Sequence, residues 1–399
     1  MDQSESNPPP VTPMWSELYP DLLRSVFQRL SFTNLKRAKS VCRSWNSASR
    51  SCVPKRNQIP WLILFPQQNQ TNSNNSCVLF VPDGKDNLYK TRDLGAEFTR
   101  SCCLASYGSW LLMFDQSWNL YIVNPLTLEI IDLPHSSLSK EDITRQPWLA
   151  CLWVDKITKN YLVVWILHDR MVYTRKGDGR WRRTTSLFPA ARVAQQIIHN
   201  SKDHKVYIAP DISLRVFVWD FSDDIPRQNG YILPFYVGRD ALVDGGTIDW
   251  GRGYYFRRMI ATSVSGQVLL VACMEQDSIW EFRIYAYDPL TKTGERVNDL
   301  GDEALILDMG FTVVVAKDIP GIKRNSIYFS YFNIDHQSKD PEHIFVYDLH
   351  TRTTERLPQW VVSSVGFSDA RWFCWNLFLT NDKADTFEFS GDFSDQNGS

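Results

Sequence analysis

The residues with types and spacing suited to chemistry are few. His199 with His204, and His343 with His350, lie near Asp203 and Glu342. Asp223-Asp224 and Asp302-Glu303 are adjacent carboxylates. Imidazoles beside carboxylates are what a metal site or an acid–base pair uses. Here, however, each group falls in a turn-like segment, where solvated side chains are the simpler reading. The chain has no G-x-S-x-G, no Walker loop, no H-E-x-x-H and no G-x-G-x-x-G. Gly251-Arg252-Gly253-Tyr254 starts like a glycine loop, lacks the last glycine, and reads as a hairpin or bulge. The expectation is therefore no catalytic residue, no metal ligand set and no cofactor.

One cluster points to recognition instead. Arg175, Lys176, Arg180, Arg182 and Arg183 surround Trp181, and Arg252, Arg257 and Arg258 join them if the fold brings the two segments together. Interleaved arginine and aromatic side chains stack bases or anchor protein interfaces. A solvated hairpin tip is the simpler reading; if the cluster binds, the candidate target-binding set is Arg175, Arg180, Trp181, Arg182, Arg183 and Arg257, with protein favoured over nucleic acid as the ligand.

Composition bounds the rest. The chain has 399 residues, a formal net charge of -2, and 43% hydrophobic against 22% charged residues. That balance supports packed domains and argues against a protein that coats nucleic acid or an anionic membrane. Aromatic residues reach 13%, with 15 Trp, 16 Tyr and 22 Phe, and aromatic side chains suit half-buried pleated surfaces. The longest clean apolar run, Tyr161 to Leu167, is far below the ~20 residues of a spanning helix. The polar, proline-rich start, MDQSESNPPPVTP, lacks a signal-peptide pattern. The eight cysteines are scattered without a C-x-x-C pair and read as reduced, small hydrophobes. These features predict a nuclear or cytoplasmic, non-secreted protein. The glycosylation-like triplets at Asn69 and Asn74 read as chance matches in a polar loop.

Two kinds of element must carry these residues. After a disordered leader over 1–13, residues 14–55 read as helical. Leu18, Leu22, Val26 and Leu30, with Leu23 and Phe27 alongside, form one amphipathic stripe, with Ser16 as candidate cap and Pro20 in the first turn. Leu35, Ala38, Val41, Cys42 and Trp45 form a second, with Asn34 as cap. A unit of about 40 residues seldom buries its own face, so the stripe predicts a covering partner. Residues 56–76 read as linker and polar loop, ending in the low-complexity stretch 67–76. From 77 to 399 the chain is a series of short apolar runs bounded by turn residues.

A weak repeat organises those runs. LYIVNPLTLEIIDLP, VFVWDFSDD, IYAYDPLTKTGERV and IFVYDLHTRTTERLP each place an alternating strand before Asn124, Asp220, Asp288 or Asp348, then a turn and a polar strand. Tyr173-Thr174-Arg175 before KGDGRW is a candidate for the missing copy. Recurring hairpins predict a β-propeller of about six or seven blades, with an irregular two-sheet domain as the alternative. The fold class is mainly β with a small N-terminal α unit.

Leu18, Pro20, Leu22, Leu23, Val26, Leu30, Leu35, Arg37 and Val41-Cys42-Arg43-Ser44-Trp45 resemble an F-box. The body, through LGDEALILDMGFTVVVAKDIPGIKRNSIYFS and the last hairpin, resembles the plant F-box family whose second domain is a kelch-like domain of unknown function. Two positions depart from the pattern: Tyr19 stands where proline is usual, with Pro20 after it, and Asn34 replaces a common Asp. The resemblance implies a three-helix F-box followed by an irregular kelch-like propeller. It also implies a non-catalytic receptor subunit of an SCF-type ubiquitin ligase. In that reading Leu18, Pro20, Leu22, Leu23, Val26, Leu30, Leu35, Val41, Cys42 and Trp45 dock on a Skp-family adaptor, and the β domain binds an unknown target protein, with no nucleic acid or membrane partner. The alternatives are a propeller enzyme or ligand-binding protein with a structural helical start, and a scaffold that binds without promoting degradation.

Overall fold

The computed structural model describes residues 15–49 (without 28 and 31), 61–66, 78–80, 88–90, 96–135 (without 126), 149–184 (without 156, 168 and 169), 194–210, 216–232, 255–276, 279–288, 293–308, 311–315, 323–330, 344–356 and 367–373. The expected leader over 1–13, the polar loop over 67–76 with its two Asn triplets, and Gly251-Arg252-Gly253 lie outside the described residues.

A single 3-10 turn, Trp15–Glu17, precedes three short helices: α1 (Pro20–Phe27), α2 (Phe32–Lys39) and α3 (Arg43–Ser49). Pro20 opens α1, where its missing N–H breaks no helical bond. Neither expected cap holds its position: Ser16 lies in the 3-10 turn, and Asn34 is inside α2. Cys42 takes the cap of α3, its carbonyl accepting from the Asn46 N–H at 2.9 Å.

The β body is a ring of six sheets. Blade 1 contains β1 (Trp61–Pro66), β2 (Val78–Phe80) and β3 (Leu88–Lys90). Blade 2 has β4 (Cys102–Tyr107), β5 (Trp110–Phe114), β6 (Leu120–Asn124) and β7 (Glu129–Asp132). Blade 3 has β8 (Leu149–Val154), β9 (Tyr161–Leu167), β10 (Arg170–Arg175) and β11 (Arg182–Arg183). Blade 4 has β12 (Ala194–Asn200), β13 (Lys205–Pro210), β14 (Val216–Asp220) and β15 (Arg227–Ile232). Blade 5 has β16 (Tyr255–Thr262), β17 (Val268–Gln276), β18 (Ile279–Asp288) and β19 (Thr293–Val297). Blade 6 has β20 (Ala304–Asp308), β21 (Phe311–Val315), β22 (Ser326–Ser330), β23 (Ile344–Asp348) and β24 (Thr353–Arg356), with β20 and β22 paired in parallel. The last strand, β25 (Phe367–Phe373), returns to blade 1 and pairs antiparallel with β1 as its innermost strand.

β4 touches β8, β8 touches β12, β12 touches β16 and β16 touches β21, and β25 touches β4 on one side and β20 on the other. The ring is thereby closed by pairing distant parts of the chain. β1 falls inside 56–76, the segment expected to be linker and loop. That expectation is corrected: the β body has begun by Trp61. Polar neighbours on both sides masked a strand whose partner lies about 300 residues away.

The repeated hairpins are the outer pairs of blades. β6–β7, β10–β11, β14–β15, β18–β19 and β23–β24 contain Asn124, the Tyr173 segment, Asp220, Asp288 and Asp348. Two of their turns share one chemistry. The Asp348 carboxylate accepts from the backbone N–H of His350 and Thr351, and Arg352 then adopts φ 56 and donates back to the Asp348 carbonyl. Asn124 with Leu128 (φ 58) repeats the arrangement, and so does Asp155 with Lys159 (φ 57) in the turn between β8 and β9. Short polar side chains satisfy turn N–H groups that the strands cannot reach.

The core lies between blades. Trp110, Phe114, Leu152 and Trp165 form one cluster across blades 2 and 3; Val164, Ile197 and Trp219 belong to another across blades 3 and 4. Cys103, Cys151 and Cys273 are buried within these layers, and burial pushes the Cys151 thiol up to about 12. Gln196 ties blade 4 to blade 5: its Nε2 donates to the Ile260 carbonyl at 2.9 Å and its Oε1 accepts from the Ile260 N–H at 2.5 Å.

Candidate protein-binding sites

α1 carries two apolar stripes. Leu23 and Phe27, four residues apart, point inward and are fully buried. With Leu35, Ala38 and Ala48 they form a core of helical residues alone, against which Leu18, Leu30 and Trp45 pack. The Phe27 and Trp45 rings meet edge-on at 5.3 Å, and the Trp45 indole N–H donates to the Trp15 carbonyl at 3.0 Å.

The second stripe faces outward. Leu22 and Val26, also four apart, are 55% and 47% exposed, and Val41 in the turn before α3 is 60% exposed. Pro20, Trp15 and Tyr19 are exposed beside them.

Of the ten expected adaptor contacts, the structure therefore presents Pro20, Leu22, Val26 and Val41 at the surface. Leu18, Leu30, Cys42 and Trp45 are half-buried. Leu23 and Leu35 are corrected, since each is sealed inside the helical core and reaches no partner. The unit buries more of its own face than its size led us to expect, because both sides of α1 are apolar. Trp15 and Tyr19, 73% and 77% exposed, were not among the expected contacts; they lie just before α1, outside the periodic stripe that marked the others. Cys42 has its thiol pulled below the ordinary range, chiefly by the Ser44 hydroxyl 3.1 Å away.

The expected target-binding cluster divides. Arg175 is half-buried: its Nη2 donates to the Phe221 carbonyl at 2.6 Å, and its guanidinium lies over the Tyr173 and Phe221 rings at 5.8 and 5.7 Å. Trp181 donates to the Pro134 carbonyl at 2.7 Å and packs edge-on against buried Trp165. Arg182 pairs with Asp178 at 2.5 Å. Arg175 and Trp181 hold the blade 3 hairpin to its neighbours, and the Arg182 pair braces the hairpin itself. Arg180 and Arg183 are exposed. Arg257 does not join them: it lies on β16, the inner strand of blade 5, while the others are on the outer hairpin of blade 3. The idea that the two arginine segments meet is therefore corrected, because the whole of blade 4 separates them.

The histidine pair also differs from expectation. His199 is not a solvated turn residue. Its Nδ1 is buried, its ring lies 5.7 Å from that of Trp153 and 6.3 Å from that of His204. Burial, aided by His204 and Arg175, lowers it to about 3, so it is neutral. Asp302 pairs with Arg324 at 2.7 Å, and Glu303 accepts from the Val264 N–H at 3.4 Å. His343 lies outside the described residues. Among the described residues no three His, Cys, Asp or Glu side chains gather as a metal site would require.

A small helical unit with an outward apolar strip, followed by a closed ring of blades, is a two-part architecture that comparison resolves. Residues 15–57 match the F-box domain, and residues 78–348 match the KIB1-4 beta-propeller. The chain belongs to the plant F-box proteins with a KIB1-4 propeller. An Arabidopsis thaliana F-box protein is 50% identical over 367 residues, covering 90% of this chain and 95% of its own. Another Arabidopsis thaliana chain that bears the F-box name is 54% identical over 386 residues, covering 94% and 98%. The KIB1-4 description replaces the looser kelch-like one. The F-box of this member is thus the unit built by α1, α2 and α3, and its propeller is the six-sheet ring.

Proposed function

We propose that this chain is the substrate-recognition subunit of an SCF-type (Skp–cullin–F-box) ubiquitin ligase. The observation that carries the reading is the outward strip of Leu22, Val26 and Val41, with Trp15 and Tyr19, on an F-box whose other apolar residues are already packed. Water contact at these side chains is unfavourable, and a Skp-family adaptor helix laid on them removes it. About half of each of the three aliphatic side chains is still exposed, so docking contributes about 1 kcal/mol each. Trp15 and Tyr19 add larger areas of the kind that dominates interface energetics.

The propeller then holds a target protein close to a conjugating enzyme brought by the cullin. The gain is effective concentration, and no residue of this chain performs a bond-making step. The displaced proline is compatible with this role, since Pro20 begins α1 and leaves Tyr19 on the same exposed side.

The test is co-purification of a Skp-family adaptor with Leu22→Asp plus Val41→Asp. Adaptor recovery is expected to fall to background while the near-UV tryptophan signal of the propeller is unchanged. Full recovery with both charges in place overturns the reading.

A further inference from the structure

Six large apolar side chains of the described propeller are more than one-third exposed: Leu128, Ile130, Ile157, Ile225, Val264 and Ile279. Four of them share a property. Leu128, Ile157, Ile225 and Val264 sit in turns joining the first to the second strand of a blade, or the third to the fourth. Antiparallel strands return such turns to one end of every blade, so these side chains lie on one face of the ring. Contacts between turns confirm the continuity. Lys159 of blade 3 pairs with Glu129 of blade 2 at 3.2 Å, and Lys176 donates to the Thr158 carbonyl at 2.6 Å.

The charge on this face is sorted by depth. In the blade 3 turns the carboxylates face inward. One oxygen of Asp155 accepts from Ile157 N, Thr158 N and the Thr158 hydroxyl. The Asp178 side chain is 8% exposed, bonded to the Arg175 N–H and paired with Arg182. The cations face outward: Lys176 and Arg180 are exposed, and Lys159 lies at the edge over the Trp110 ring at 4.6 Å. Between them Ile157 is 91% exposed, the highest value of any large apolar side chain among the described residues. The turn itself is thin. Gly177 adopts φ +91, and nothing lies within 4 Å of where a Cβ would stand at Gly177 or Gly179. In blade 4 the pattern reverses, because Asp223 and Asp224, both exposed, directly precede Ile225.

We infer that the blade 2–blade 3 sector of this face, centred on Ile157 with Leu128, Lys159, Lys176 and Arg180, docks an acidic protein segment carrying aliphatic side chains. The aliphatic side chains of the segment cover Ile157 and Leu128, whose contact with water is the driving force. Its carboxylates meet Lys176 and Arg180, beside which Asp155 and Asp178 are already engaged within the turns, and compete with Glu129 for Lys159, which sets both direction and partner choice. A basic segment meets like charge at blade 3, and the two carboxylates of blade 4 mark where the sector ends. The inference rests on the receptor reading only in calling that segment part of the target.

Binding of fluorescein-labelled peptides to the full-length chain tests it. The probes are peptides of Glu-Glu-Leu repeats, Lys-Lys-Leu repeats and Glu-Glu-Gly repeats, and a single-stranded thymidine oligonucleotide. The Glu-Glu-Leu peptide is expected to bind at least about tenfold more tightly than the other two peptides. The triple variant Lys159→Glu, Lys176→Glu, Arg180→Glu is expected to lose about that factor. Ile157→Ser, at a position that touches no core, is expected to lose affinity for Glu-Glu-Leu and to change nothing for Glu-Glu-Gly. Equal binding of all peptides overturns the inference, as does an unchanged affinity in Ile157→Ser, or an oligonucleotide that displaces the peptide and binds as tightly. If the triple variant misfolds by near-UV signal, Ile157→Ser decides alone. Adaptor co-purification on the same variants separates the two readings. Lost peptide binding with adaptor retained concerns this face, whereas Leu22→Asp plus Val41→Asp affects the adaptor and leaves peptide binding intact.

Discussion

The F-box and the propeller treat apolar side chains in opposite ways. The propeller places its large aromatics between blades: Trp110, Trp165 and Trp219 are all but completely buried, even though no hydrogen-bond partner reaches their indole N–H groups among the described residues. A buried, unpaired donor costs roughly 1–3 kcal/mol, so the packing of those rings outweighs it. The F-box has five buried residues in its core and leaves Trp15, Tyr19, Leu22, Val26 and Val41 outside. One region seals its largest side chains by itself. The other leaves its largest at the surface, where the proposed adaptor would cover them.

That contrast can be broken in several places. The largest effect is expected from removing residues 367 onward. Blade 1 then loses its innermost strand, and β1 loses the partner that closes the ring. The expected outcome is loss of the cooperative thermal transition of the propeller and rapid protease cleavage near β1. Retention of a single sharp transition refutes closure by β25.

Phe27→Ala comes next. Phe-to-Ala changes in cores cost about 3–5 kcal/mol, which is much of what so small a unit has. Loss of adaptor binding is expected although Phe27 touches no partner. Its tryptophan-monitored propeller transition should hardly move, and a shift of both transitions together refutes the independence of the two regions.

Gln196→Leu is expected to be milder. It removes both bonds to Ile260 and leaves that peptide group unsatisfied at a blade boundary, at a cost of roughly 1–3 kcal/mol. Chemical denaturation measures it.

The remaining effect is absent at neutral pH and grows only on acidification. His199 is lowered to about 3 in the fold, against 6.5 when unfolded. Between these values the unfolded chain binds the extra proton. Stability from the neutral, buried imidazole is therefore fully present above pH 6.5 and declines as pH falls from there toward 3. His199→Phe is expected to flatten the dependence of the melting temperature between pH 6.5 and 4.5. An unaltered slope refutes the assignment.

Four outer hairpins were legible because an Asn or Asp ends the first strand of each, and at Asn124 and Asp348 that side chain caps the turn. The division of α1 was not. Leu22 and Leu23 are adjacent apolar residues on a helix with apolar character on two sides, and only packing against α3 decides which of them faces in. β1 and β25 were hard to see for a different reason. Their pairing is between distant parts of the chain, and Phe367–Phe373 lacks the run of aliphatic residues that marks the other strands. The burial of His199 was hidden by the polar residues that follow it. Trp153, which covers it, belongs to another blade.

The placement of β25 also sets an order of events at the ribosome. The F-box helices emerge first, and more than three hundred residues must follow before the ring has its final strand. A message cut short anywhere in that interval yields a chain with an intact adaptor strip and no finished target surface. If the proposed receptor role holds, such a fragment occupies adaptors and delivers nothing, and faithful completion of translation becomes a condition for productive assembly.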